Sequence, residues 1–237
     1  PKNLDFPWND QRVRQAMSLA IDRRKVNEIV YGDADGWTGN DSHMSGVNAE
    51  FVPREVERNV EQARALLAEA GYGGGVKLPA IAFCPNFPEE PRIYPIVAES
   101  LAEAGIEIVF EERPCDGFNP YIGAVNAPYG RPARELVGPR NPFINLSRAD
   151  HKLDDNSDWT GPGAEEYSRL VNAAVGTLDA QERLAMYRKA QRILQEEVPA
   201  IMLGGRRNMV AHAPEIRNAR SHSQNWSSRF EYIWIDA

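Results

Sequence analysis

Leu78-Pro79-Ala80-Ile81-Ala82-Phe83-Cys84 and Ile106-Glu107-Ile108-Val109-Phe110-Glu111 frame the stretch from Leu78 to Cys115, and its reading decides the fold. The first run is short, apolar and closed by Pro85 and Asn86, which suits a buried strand. Ile93, Ile96, Val97, Ser100, Leu101 and Ala104 then recur at helical spacing, and Gly105 supplies a C′ stop. In the second run Ile106, Ile108 and Phe110 alternate with Glu107, Val109 and Glu111, so one face of that strand is buried. Strand, helix and strand with short joins make a right-handed parallel crossover. Ligands of open parallel sheets sit beyond the carboxyl ends of the strands. The rule points to the loops after Cys84 and after Arg113.

Working outward, the N-terminal third reads as helices. Asn9 or Asp10 caps a helix with Val13, Ala16, Met17 and Ala20 on one face. Asp22 caps a second, Arg23 to Tyr31, which Gly32 ends. Gly32 to Pro53 is a long polar loop containing Trp37 and His43, of a length that is usually functional or disordered. Asn59 opens a third helix with Val60, Ala63, Leu66, Leu67 and Ala70 inward, stopped by Gly71. The glycines at 73–75 form a joint into the crossover.

Beyond Cys115, residues Asp116 to Val125 read as a short helix with Phe118, Tyr121 and Ile122, and Ala133 to Val137 as a third strand. Gly138 to Gly163 is loop-rich. Two helices follow. Tyr167, Leu170, Val171 and Ala174 share a face of the first; Asp179 with Glu182 opens the second, lined by Leu184, Tyr187, Gln191, Leu194 and Val198. Ala200 to Leu203, Met209 to His212 and Glu231 to Ile235 are candidate strands.

The 237 residues suffice for one large domain or two small ones. A net charge of -7 argues against nucleic acid, whose phosphates need a basic face. No apolar run approaches the roughly 20 residues of a membrane span. Arginine supplies 22 of the 27 positive side chains, which suits carboxylate capture and suits a GC-rich genome as well.

Local signatures of catalysis are absent: no phosphate loop, His-Glu-x-x-His pair, Cys-x-x-Cys pair or Gly-x-Ser-x-Gly elbow. No enzyme activity, catalytic residue or cofactor is expected. Asp154, Asn156, Asp158, Thr160 and Glu165 fall at calcium-loop spacing, but Trp159 occupies the position where glycine makes the turn. That stretch reads as a solvated loop before an acidic helix start, and no metal is expected. Cys84 and Cys115 end neighbouring parallel strands about 4.8 Å apart, so a disulfide is geometrically open, as are two free thiols. Arg134, Glu135, Arg140 and Asn141 flank the third strand's carboxyl end; with Asn86, Phe118 and Tyr121 they could converge on one ligand cleft, or face water.

The segment Phe6-Pro7-Trp8-Asn9-Asp10-Gln11-Arg12-Val13-Arg14-Gln15-Ala16-Met17-Ser18-Leu19-Ala20-Ile21-Asp22-Arg23 closely resembles the "PFNDxRVRQALSLAIDR" signature of the family 5 extracellular solute-binding proteins, the dipeptide, oligopeptide and nickel receptors of bacterial ABC importers. The resemblance continues in order. Asn40-Asp41-Ser42-His43-Met44-Ser45 looks like a loop of some members. Glu61 to Tyr72 is similar to "ekAraLLaeAGY", Glu182 to Pro199 to "ElYrkAQrIL…aP", and Tyr232 to Asp236 to the closing "vWlD".

The resemblance implies an α/β fold, a periplasmic-binding-protein type II-like lobe with a mixed, mostly parallel sheet flanked by helices. It implies that residues 1–237 are a C-terminal ligand-binding lobe without its N-terminal lobe. Residues 1–72 would form a helical subregion, and 76–237 the α/β core with the C-terminal helices. The implied function is capture of a peptide or peptide-like solute between two lobes and delivery to membrane permease subunits. The parent would be exported to the periplasm or lipid-anchored outside the membrane, a setting that permits a Cys84–Cys115 bridge. The turn Pro139-Arg140-Asn141-Pro142-Phe143 matches the family's peptide-binding region. Arg140 stands where an acidic or neutral residue is common, and Arg134, Glu135 and Leu136 replace the usual Trp and Asp. An arginine there prefers a carboxylate, phosphate or sugar hydroxyl. That leaves a non-peptide solute (an oligosaccharide, an opine-like or other anionic compound) or a sensory ligand-binding domain as the alternative.

Overall fold

The computed structural model describes residues 6–32, 37–44, 46, 48–83, 85, 90–114, 146, 159–205, 212–219 and 233–236. After a 3₁₀ turn at Pro7–Asn9, the Asp10 carboxylate accepts from the Arg12 backbone N–H and caps α1 (Gln11–Ala20). Val13, Ala16, Met17 and Ala20 form its buried face, as their spacing predicts. Asp22 caps α2 (Arg23–Val26), which runs into a π-helical turn over Asn27–Tyr31. Gly32, at φ 78°, takes the left-handed conformation that ends it. Asn59 caps α3 (Val60–Glu69) through the Gln62 N–H.

The long loop after Gly32 is more structured than its polarity suggests. It contains β1 (Trp37–Thr38) and then the buried run Gly39 to Met44.

The crossover forms as expected, with one difference. β2 (Val76–Lys77) pairs in parallel with β4 (Ile106–Glu107), and β3 (Ile81–Phe83) with β5 (Phe110–Glu112). α4 (Glu90–Glu103) is the crossover helix, and Gly105 at φ 87° ends its C-terminal turn. The single strand expected over Leu78 to Cys84 is instead interrupted. Leu78 N–H donates to the Glu107 carbonyl and Ile81 N–H to the Val109 carbonyl, each at 2.8 Å. Pro79, without an N–H, contributes nothing to the ladder. Leu78, Pro79 and Ala80 therefore face only Ile108 and Val109, a one-residue bulge.

α5 (Pro162–Gly176) and α6 (Ala180–Glu197) form an α-hairpin, with Asp179 accepting from the Gln181 and Glu182 N–H groups. β6 (Gly204–Gly205) pairs antiparallel with β1, and β7 (Ile216–Arg217) with β8 (Trp234–Ile235). The strand expected at Ala200 to Leu203 starts later because side chains occupy the Met202 backbone: its N–H donates to Asp41 and its carbonyl accepts from Arg23. Residues 209–211 of the next candidate strand lie outside the described residues.

Two hydrophobic cores result. The first joins α1, α2, α3 and α4 to β2–β5 through Val13, Leu67, Leu101 and Ile106. The second packs α5 on α6 through Tyr167, Val171 and Leu194, with Met44, Leu146 and Trp159.

Candidate ligand-binding site

β3 and β5 end on the same edge, because Phe83 stands opposite Glu112 in a parallel register. Arg113 N–H extends the ladder to the Phe83 carbonyl at 2.8 Å, and its guanidinium pairs with Glu111. Beneath this edge Tyr94 of α4 stacks on Phe110, 4.7 Å between centroids, and tilts against Phe83 at 4.3 Å. Such aromatic contacts add to burial and fix the helix on the sheet. This is the edge at which ligands of parallel sheets bind. The side chains expected to line it (Asn86, Phe118, Tyr121, Arg134, Glu135, Arg140 and Asn141) lie outside the described residues, as do Cys84 and Cys115.

Between α1, α2 and the segment after α6 sits a buried ionic node that the sequence analysis did not single out. Arg23 is 3% exposed and Asp41 is fully buried. Arg23 Nη2 donates to both Asp41 oxygens, at 2.9 and 3.1 Å, and to Ser18 Oγ at 2.9 Å. Its Nη1 donates to the Ser18 carbonyl at 2.7 Å, and its Nε to the Met202 carbonyl at 2.9 Å. Asp41 also accepts from Ser18 Oγ at 2.6 Å and from Met202 N–H at 2.9 Å. A buried charge pair is tolerated only when its remaining donors and acceptors are satisfied, and here the surrounding groups do so. Asp41 has φ 59°, a left-handed conformation that Asp tolerates better than bulkier residues. Asp-Arg after an apolar helix and Asn-Asp-Ser in the loop were the available signals; neither shows from sequence that the two meet.

A second polar seam ties the cores together. Gln191 Oε1 accepts from Val52 N–H at 2.9 Å while its Nε2 donates to the Glu50 carbonyl at 2.7 Å. Gln195, one turn on, donates to the Val52 carbonyl at 3.1 Å. α6 thus reads an extended backbone much as a neighbouring strand would. The last carbonyls of α6, which no intrahelical N–H can reach, are taken by side chains. Glu196 accepts from Gln11 and Gln15, and Glu197 from Arg14. Burial pulls the Arg14 guanidinium below its ordinary range, and the Glu197 charge opposes that. Among the described residues, no group of His, Cys, Asp or Glu is arranged to hold a metal ion.

Residues 2–123 match the profile of the bacterial extracellular solute-binding proteins, family 5 Middle. The chain belongs to that family. Curated relatives extend the likeness beyond the matched half. Heme-binding protein A of Haemophilus influenzae is 24% identical over 208 residues, covering 82% of this chain and 36% of that protein. Di/tripeptide-binding protein 1 of Pseudomonas aeruginosa is 28% identical over 207 residues, covering 81% and 36%. The chain thus spans little more than a third of the length of these curated relatives. Among solved structures, the ABC transporter-associated periplasmic binding protein DppA from Helicobacter pylori, in complex with peptide STSA, superposes with a TM-score of 0.69 at 21% identity. That alignment covers 83% of this chain and 38% of the other. The fold is therefore that of the type II periplasmic binding proteins, α/β with parallel strands.

Proposed function

We propose that this chain is one ligand-binding lobe of a two-lobed receptor that captures a peptide or peptide-like solute and delivers it to the permease of an ABC importer. Family membership over residues 2–123 carries the reading, and the peptide-binding relatives support it. Capture follows from domain closure: the solute docks on one lobe, and the closed form is favoured by contacts that only both lobes together can make. The frame described above suits that task. The edge of β3 and β5 is backed by α4 through Tyr94, and Gln191 and Gln195 tie α6 to the backbone of residues 50–52. Binding, not turnover, is the role; family 5 members are solute-binding proteins. No helix among the described residues is long and apolar enough to cross a membrane. The receptor would work in the periplasm or tethered outside the membrane by a lipid.

In this reading Asn86, Phe118, Tyr121, Arg134, Glu135, Arg140 and Asn141 contribute the lobe's ligand contacts. Arg140 favours a solute that presents a carboxylate or other acceptor to this lobe. A second reading, a dedicated non-peptide receptor, is favoured by the relative named for heme binding. Native mass spectrometry of the gently purified full-length protein separates the two. Bound masses spaced by amino-acid residues support the peptide receptor; a single non-peptide mass replaces it with the second reading. Arg140→Ala should then weaken capture of the identified solute more than about tenfold, and an unchanged affinity removes Arg140 from the site.

A further inference from the structure

A groove of about 450 Å³ opens between α1, α3 and α6. Leu19, Leu66 and Val198 give it an apolar wall. Arg54, Arg192 and Glu196 are its charged lining residues, with Gln62 beside them. Most other polar groups there are already committed. The Gln15 amide donates to the Glu196 carbonyl, the Ser18 hydroxyl to Asp41, and the Gln195 amide to the Val52 carbonyl. Arg54 is held by its bond to the Gln195 carbonyl, which uses only part of its donor fork. The Arg192 guanidinium makes no hydrogen bond or ion pair among the described residues.

We propose that this groove binds a small monocarboxylate with an apolar body, its carboxylate on Arg54 and Arg192 and its body against Leu19, Leu66 and Val198. The volume falls within the range of small-molecule sites, which combine an apolar lining with a few placed polar groups. Two guanidiniums against one carboxylate leave a single positive charge, which one ligand carboxylate neutralises. The Glu196 carboxylate disfavours a second anionic group on the ligand. An arginine fork takes a carboxylate through two parallel hydrogen bonds.

Octanoate is the probe, with 1-octanol as its uncharged counterpart, in isothermal titration calorimetry on the full-length protein. Octanoate should bind saturably and octanol at least about tenfold more weakly, the difference expected for a charge-assisted contact. Arg192→Ala, a change at an exposed position that spares the fold, should weaken octanoate about tenfold. Its circular dichroism and melting temperature should match the parent's. Failure of octanoate to saturate the parent protein overturns the proposal. So does equal binding of octanol, or unchanged octanoate affinity in Arg192→Ala. None of these outcomes bears on the solute retained in the native mass spectrum, so this site and the proposed receptor function fail separately.

Discussion

Replacing Arg23 by Met tests whether the buried node holds the two ends of the chain together. The substitution keeps an apolar stem of similar length and removes the guanidinium. Asp41 then remains fully buried with only Ser18 Oγ and Met202 N–H as partners, and the Ser18 and Met202 carbonyls each lose a donor. Breaking a buried pair in this way costs about 3–5 kcal/mol, because the surviving charge is neither hydrated nor paired. In a chain of this size that corresponds to a fall in Tm of roughly 6–20 °C. Asp41→Asn keeps a residue suited to the left-handed backbone while removing the charge. The double variant Arg23→Met/Asp41→Asn should therefore be more stable than the sum of the single losses predicts, by about 2 kcal/mol. Urea denaturation of the four proteins yields this coupling energy directly. A loss below about 1 kcal/mol for Arg23→Met, with additive effects, would refute the reasoning and make the node a packing contact.

Three further outcomes follow from single features. Gly39→Ala places a Cβ 1.9 Å from the Met202 carbonyl oxygen, so the β1–β6 pair must separate. The expected loss is about 2–3 kcal/mol, seen also as faster amide exchange at Gly39. Gln191→Leu fills the same space but orphans the Val52 N–H and the Glu50 carbonyl. It should cost about 2 kcal/mol by chemical denaturation, and a neutral result removes the seam as a stabilising element. Arg169 and Lys189 hold the Glu166 carboxyl down at about 2, against an ordinary 4.5. A depressed carboxylate stabilises the fold above its unfolded value, so this contribution is complete above pH 4.5 and disappears as pH falls through about 2. Carbon-detected NMR titration should show that midpoint, and Arg169→Ala or Lys189→Ala should move it upward.

The helices were legible because each rests on local chemistry. Asp10, Asp22, Asn59 and Asp179 are caps in the structure as in the sequence, and the apolar faces of α1, α3, α5 and α6 follow the 3.6-residue period. The parallel crossover was legible from two apolar runs and the helix between them. The bulge at Leu78–Ala80 was not, although Pro79 was in plain view, because a missing donor does not say where the ladder resumes. The node was harder still. Arg23, Asp41 and Met202 are far apart in sequence, and none carries a periodic or motif signal for the others. Met202 was read as strand because side-chain bonds to its backbone leave no mark on composition. The expected ligand-contacting residues rest on the family resemblance and on the parallel-strand rule; the structure describes the edge that would present them.

The spacing along the chain of the residues that close the node has a consequence for biogenesis. Arg23 and the Met202 carbonyl it grips are 179 positions apart. On a ribosome adding about 5–20 residues per second, roughly 10–35 s separate the synthesis of these two partners. Throughout that interval Arg23 and Asp41 lack the backbone partners that Met202 supplies. The node is thus complete only once residue 202 has been made, and the packing that it locks between α1, α2 and the segment after α6 is settled late in the synthesis of these residues.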